Sequence, residues 1–191
     1  WASERLCFQE DRGERCVHGG GLTLGTMSRV LDTAARLMWP VQRLAGGTCA
    51  VSQKTELERV NQARSMLIDT LELDWRDVSP AWLGEARRVA AASGDLPRLS
   101  DVDVDVLALA IGLDATLVTD DFRLRNAFSS NGGHVEGAGV KKKTNVWVWA
   151  MHCTGCGVQS DVPEDVHRSK KDDVGSCDRC GSPLTLKRKR R

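Results

Sequence analysis

The sequence predicts an α/β domain, a parallel sheet covered by helices on both faces, followed by a small four-cysteine module. Three observations carry this. Short apolar runs alternate with helix-period stretches between residues 29 and 137, the pattern of successive βα units. Acidic residues follow the strands, at the strand ends where open α/β sheets form their sites. Two Cys-x-x-Cys pairs stand near the end of the chain.

The elements follow in order. Residues 1–26 show no periodicity and are broken by Gly19-Gly20-Gly21, so they read as an unstructured extension, with Met27 a natural start. Cys7, Cys16 and His18 match no common metal spacing. Arg29 to Leu31 is a short strand ending in Asp32, and Thr33 to Met38 a helix stopped by Pro40. Thr48 to Val51 is the second strand. Ser52 caps a long helix from Gln53 to about Leu71, with Leu57, Val60, Met66, Leu67 and Leu71 as its apolar stripe. Asp74 to Val78 is the third strand. Ser79-Pro80 starts a helix that runs to Ser93 before Gly94. Ser100 caps a helix over Val102 to Leu113, apolar enough to be buried. Ala115 to Thr119 is the fourth strand and ends in Asp120 and Asp121; His134 to Gly137 is the last.

The chain has 191 residues, 41% hydrophobic and 28% charged, which suits one modest domain plus a small module. Its net charge of +1 carries no strong message, but acids gather in the middle and LKRKRR closes the chain. No apolar run approaches the roughly 18 residues of a membrane span, and the N-terminal residues lack the apolar core of a signal peptide. Of seven cysteines, four have metal-ligand spacing, which predicts a reducing, cytoplasmic setting.

Four acidic positions are expected at one end of the sheet: Asp32, Glu56, Asp103 (flanked by Asp101 and Asp105) and Asp121 with Asp120 beside it. Each has an ordinary use as well. Ser100-x-x-Asp103 is a capping box, and Asp-Asp after a strand is common turn chemistry. Their convergence points further. Clustered carboxylates repel one another and take up protons unless a cation compensates. Oxygen ligands that leave room for water suit Mg²⁺ or Mn²⁺, ions that hold phosphates and activate water. The implied chemistry is hydrolysis of a phosphodiester. No nucleophilic serine motif or glycine-rich phosphate loop competes, and His134 and His152 lack partners in sequence.

In the second module the spacing is C-x2-C-x20-C-x2-C: Cys153, Cys156, Cys177 and Cys180. Four thiolates on two knuckles make a closed tetrahedral site, so Zn²⁺ is expected to be structural. Gly157 and Gly181 allow the tight backbone after each knuckle. So small a module depends on its metal. Val146 to Met151 alternates as a strand, with one of Trp147 and Trp149 in the core and the other able to stack on a base. Lys141, Lys142 and Lys143 open a linker, and Lys187, Arg188, Lys189, Arg190 and Arg191 form a tail expected to be disordered and to meet RNA phosphates. The divisions are thus 27–140 for the sheet domain, 141–145 for the linker, 146–186 for the ribbon and 187–191 for the tail, each folded part with its own source of stability.

VLDTAA, RLSDVDVDVLALA and LVTDDFRLRN resemble the PIN-domain nucleases. Followed by a four-cysteine ribbon, they resemble the archaeal Nob-type endoribonucleases of small-subunit rRNA maturation, over residues 27 to the C-terminus. The resemblance implies that Asp32, Glu56, Asp103 and Asp121 with Asp120 bind Mn²⁺ or Mg²⁺, and that Asn126 ends the last motif. It implies cleavage at the 3′ end of precursor small-subunit (16S) rRNA, with pre-40S-like or 30S assembly intermediates as partners. Arg36 departs from the apolar run expected after Asp32. Two other readings compete: a PIN-type toxin ribonuclease, and a non-catalytic zinc-ribbon factor that binds RNA during ribosome assembly.

Overall fold

The computed structural model describes residues 28–139, 145–169 and 174–189. The expectations for residues 1–26, for Lys141–Lys143 and for Arg190 and Arg191 therefore lie outside the described residues.

Five strands form one parallel sheet: β1 (Arg29–Leu31), β2 (Thr48–Ala50), β3 (Asp74–Arg76), β4 (Thr116–Val118) and β5 (Val135–Glu136), in the order β3-β2-β1-β4-β5. β1, β2 and β4 are short, almost wholly buried runs, as strands covered on both faces must be. The helices are α1 (Thr33–Met38), α2 (Val41–Leu44), α3 (Gln53–Val60), α4 (Gln62–Ile68), α5 (Pro80–Ser93), α6 (Asp101–Gly112) and α7 (Phe122–Ser130). A 3-10 turn at Leu96–Arg98 joins α5 to α6. The strand order reverses between β1 and β4, which pair in parallel with Leu31 opposite Val118. A crevice at the carboxyl ends of such strands is where this class of sheet places its site.

Two helical readings need correction. The single helix expected from Gln53 to Leu71 is two. Asn61 adopts an extended backbone and its side chain accepts from the Arg64 N–H at 2.9 Å, so it starts α4 instead of continuing α3. The break turns the expected stripe outward: Leu57 is buried, but Val60, Met66 and Leu67 are exposed, and Ile68 packs inward in their place. Helix α7, which no apolar period announced, begins directly at Asp121 and buries Leu124, Arg125, Asn126, Ala127 and Phe128.

A second, antiparallel sheet holds β6 (Trp149–Cys153), β7 (Gln159–Ser160) and β8 (Leu184–Arg188), in the order β7-β6-β8. Strand β6 starts at Trp149, later than the alternation suggests, and leaves Val146 and Val148 exposed. β8 reaches Arg188, whose partner is Trp149, and the Lys189 N–H donates to the Val148 carbonyl. Lys187, Arg188 and Lys189 are thus not a disordered tail; the cross-strand register extends the ribbon through them.

The ribbon is also not self-contained. Met151, Val162, Val174 and Leu184 belong to the same contiguous apolar cluster as Ala90, Leu96, Leu99, Leu107 and Leu124 of the large domain. Each such burial is worth roughly 1.5–3 kcal/mol, far more than the exposed Lys189–Asp161 ion pair can add. Polar contacts reinforce the junction: Arg87 Nε donates to the Glu164 carbonyl, Arg98 Nη1 to that of Ser169, and the Ser169 N–H to that of Pro97. Independent stability of the two modules is therefore not expected. Cys153→Ser should melt the ribbon and also lower the unfolding temperature of the parallel sheet, on the order of 5 °C. Calorimetry with amide exchange at β1 and β4 checks this; full protection of those strands in the variant would show separable modules.

Candidate active site and zinc cluster

Asp32 leaves the end of β1 and caps α1, its Oδ1 accepting the Thr33 N–H at 2.6 Å. Its Oδ2 accepts the Thr119 hydroxyl at 2.6 Å. Thr119 is fully buried at the end of β4, and its oxygen in turn accepts the Asp121 N–H at 3.0 Å. One hydroxyl thus ties the two strand-end acids together. Asp121 caps α7, its Oδ1 accepting the N–H groups of Arg123 and Leu124 at 2.6 and 2.9 Å. Asp103 sits in the first turn of α6 in a complete capping box: the Ser100 N–H donates to Oδ2 at 2.7 Å, and the Asp103 N–H to the Ser100 hydroxyl at 3.1 Å. Capping and clustering therefore coexist. Three helix starts aim their positive ends at one place, which helps acids gather there.

Electrostatics show which acids face one another. Burial, opposed by the Thr119 bond and reinforced by the like charges of Asp103 and Asp121, pushes Asp32 up to about 6 from an ordinary 3.8. Asp103 is raised as well, by burial first, then by Asp121 and Glu56, against its two bonds to Ser100. Glu56 on α3 accepts the Thr33 hydroxyl. Asp120 is directed elsewhere: its Oδ1 accepts the Ala138 N–H at 3.0 Å and lies 3.6 Å from Arg125 Nη2, pinning the segment after β5.

Several residues around the acids carried no sequence signal beyond adjacency. Gln53, fully buried, accepts the Ala50 N–H and donates to the Leu31 carbonyl, locking the end of β1 to that of β2. Arg36, also fully buried, donates from Nη2 to the Thr33 hydroxyl at 2.9 Å. Burial lowers its pKa, and Cys49, Asp32 and Glu56 oppose this. The polar residue that interrupts the run after Asp32 is thus an internal cation beside the acids. A Thr next to an acid on both β1 and β4 was the readable hint.

Among the described residues, Cys153, Cys156, Cys177 and Cys180 are the one group of His, Cys, Asp or Glu whose ligand atoms all lie within 4.8 Å of one another. The Cys153–Cys180 and Cys156–Cys177 sulfurs are 3.3 and 3.7 Å apart. A tetrahedral zinc with bonds of about 2.3 Å sets sulfurs roughly 3.8 Å apart, so the cluster fits a zinc ion with all four positions filled by protein. Gly157 and Gly181 have φ of 74° and 71°, the left-handed turn each knuckle needs. Asp32, Glu56, Asp103 and Asp121 do not form so close a group among the described residues.

The chain is 34% identical over 157 residues to the Ribonuclease VapC1 of Thermoplasma acidophilum, covering 81% of this chain and 75% of that protein. It is 28% identical over 173 residues to the Endoribonuclease Nob1 of Methanothermobacter thermautotrophicus, covering 86% of this chain and 95% of that one. The Endoribonuclease Nob1 of Archaeoglobus fulgidus is 27% identical over 138 residues, 69% of this chain and 75% of the relative. The chain belongs to the PIN-domain ribonucleases. No family model matches the chain. No helix among the described residues is long and apolar enough to cross a membrane.

In this ribonuclease two described residues of the basic end are held by the ribbon. The Arg188 guanidinium stacks 4.1 Å from the Trp147 ring centre, and Lys189 pairs with Asp161 at 3.1 Å. Neither tryptophan is fully buried; Trp149 lies under Arg123 at 4.0 Å.

The Asp32 shift sets a pH dependence. Its carboxyl is neutral more readily folded than unfolded, so its contribution to stability is full below about pH 4 and is lost as pH rises through about 6. Asp32→Asn should therefore stabilise the metal-free protein at pH 7.5, by on the order of 2 kcal/mol, and give little change at pH 4. Urea unfolding at both pH values measures it. Equal effects at both would show that the carboxyl ionises freely.

Proposed function

We propose that the protein is a metal-dependent endoribonuclease that hydrolyses a phosphodiester bond at the 3′ end of precursor small-subunit (16S) rRNA during ribosome biogenesis. The single observation that carries the reading is the acid cluster at the switch between β1 and β4, in which Asp32 feels Asp103 and Asp121, and Asp103 feels Asp121 and Glu56. Acids so arranged are unfavourable without a cation. Asp32, Glu56, Asp103 and Asp121 are the residues that would hold Mg²⁺ or Mn²⁺, directly or through water. Such an ion, when bound, lowers the pKa of an attacking water and offsets charge on the phosphate.

The rest of the work falls to the chain. Thr119 and Thr33 orient Asp32 and Glu56 by donating to one oxygen of each. Arg36, behind Thr33, keeps part of the negative charge balanced from within. The capping bonds hold Asp103 and Asp121 still, so substrate binding need not organise them. The water oxygen bonds to phosphorus as the bond to the leaving strand's oxygen breaks, and that oxygen departs carrying the proton the water lost. Asp120 serves the fold more than the chemistry, through Ala138 and Arg125.

The ribosomal substrate rests on the resemblance to the Nob-type endoribonucleases, which the relatives named Endoribonuclease Nob1 and the four-cysteine ribbon support. Contacts to RNA phosphates are assigned to Lys141, Lys142 and Lys143 and to the basic end from Lys187 to Arg191, with assembly intermediates of the small subunit as partners. Thiolate ligation of zinc favours the reducing cytoplasm, where this RNA would be met. The identity to Ribonuclease VapC1 favours a second reading, a toxin-type ribonuclease of the same fold.

A cleavage assay in Mn²⁺ on a precursor rRNA fragment spanning the mature 3′ end tests both. Wild type is expected to cut at one position. Asp32→Asn, Asp103→Asn and Asp121→Asn should each lose at least about 100-fold in rate while staying folded, and Asp120→Asn should lose much less. Cleavage scattered over unrelated RNAs would favour the toxin reading. Full activity in any of the first three variants would remove that residue from the site.

A further inference from the structure

Asp95 lies in the loop between α5 and α6, in no motif that the nuclease chemistry uses. Its side chain is fully buried and takes three donors. Arg123 Nη1 donates to Oδ1 at 2.9 Å; Asn126 Nδ2 and the Ser93 hydroxyl donate to Oδ2 at 2.5 and 2.9 Å. Both larger donors come from the first turns of α7, the helix that Asp121 caps. Both also grip the segment leading into the ribbon. Asn126 Nδ2 donates to the Trp147 carbonyl at 2.7 Å, and the Trp147 N–H returns to Asn126 Oδ1 at 2.7 Å. The Arg123 guanidinium lies over the Trp149 ring at 4.0 Å. Gly94, with φ of 78°, admits the Trp149 carbonyl so closely that a Cβ there would stand 2.2 Å from it.

We infer that Asp95, Arg123 and Asn126 are positioning residues that latch the ribbon segment Trp147–Trp149 to α7 and thereby hold Asp121 in the nuclease site. The latch sits between two of the acids. Five residues on from Asp95, Ser100 builds the capping box of Asp103; two residues before Arg123 stands Asp121, whose Oδ1 bonds the Arg123 N–H. A buried carboxylate that loses its donors is strongly disfavoured, so removing them does not simply relax the loop but drives it to open toward water. Opening would free Arg123 and with it the cap on Asp121. The ribbon, folded by zinc, is the third side of this frame. Its presence then supports the rate of the chemical step, apart from any RNA it contacts.

The inference rests on the proposed role of Asp121, and the test separates the two. Full-length, zinc-loaded protein carrying Asn126→Ala is compared with wild type by amide exchange without RNA, and by steady-state cleavage of a short single-stranded RNA in Mn²⁺. The expected result is exchange at Arg123 and Leu124 about 10-fold faster, kcat lowered roughly 10-fold and KM within about twofold, with zinc retained. Unchanged exchange, or a change in KM alone, overturns the latch. Should Asn126→Ala lose zinc or fail to fold, Arg123→Gln decides by the same measurements, because it leaves the Asn126–Trp147 pairing in place. Arg123→Lys restores a cation to Asp95 and should recover most of the rate; recovery no better than with Gln counts against the proposal. Normal cleavage by Asp121→Asn would instead remove Asp121 from the site, leaving the exchange data to decide the latch alone.

Discussion

The Thr119 hydroxyl bond to Asp32 is the contact on which the arrangement of the site depends. It joins the ends of two parallel strands that are neighbours in space and 87 residues apart in sequence. Asp32 is nearly fully buried, and an unpaired carboxylate there would be costly. The hydroxyl, the Thr33 N–H and the start of α1 together make burial tolerable without cancelling the charge. What remains is an acid whose proton is held to about pH 6 and whose natural replacement is a cation. Placing Asp103 and Asp121 beside it increases that demand.

Helix capping and metal-ligand chemistry usually compete as explanations of an acid at a helix start. Here the acids proposed as ligands, Asp32, Asp103 and Asp121, are each also a cap. A capping bond occupies the carboxylate from the side of the helix and fixes its rotamer, which prepares a ligand as well as stabilising a helix. Asp120 shows the contrast. It has the same sequence neighbourhood as Asp121, but a backbone N–H and a guanidinium on the β5 side claim it.

The ribbon illustrates how a small metal module gains stability. Its zinc cluster organises two knuckles, but its apolar residues complete a cluster that begins in α5 and α6. The polar part of the junction is equally specific: the Asn126 amide pairs with the Trp147 backbone much as a neighbouring strand would. Docking of this kind fixes the ribbon relative to the acids.

Local pattern alone was enough for the alternation of strands and helices, the caps at Ser79 and Ser100, the cysteine spacing and the placing of acids at strand ends and helix starts, because each depends on residues within a few places of one another. Even the break at Asn61 was local, a side chain able to cap competing with an apolar period that favoured a longer helix. The tertiary structure decided what depends on distant partners. It separated Asp121 from Asp120, turned Arg36 into an internal cation, put Lys187 and Arg188 into a strand, and buried Asp95 beneath Arg123 and Asn126. The physical reason is that burial and pairing are set by which surfaces meet, and a residue's own neighbours in the chain do not carry that information.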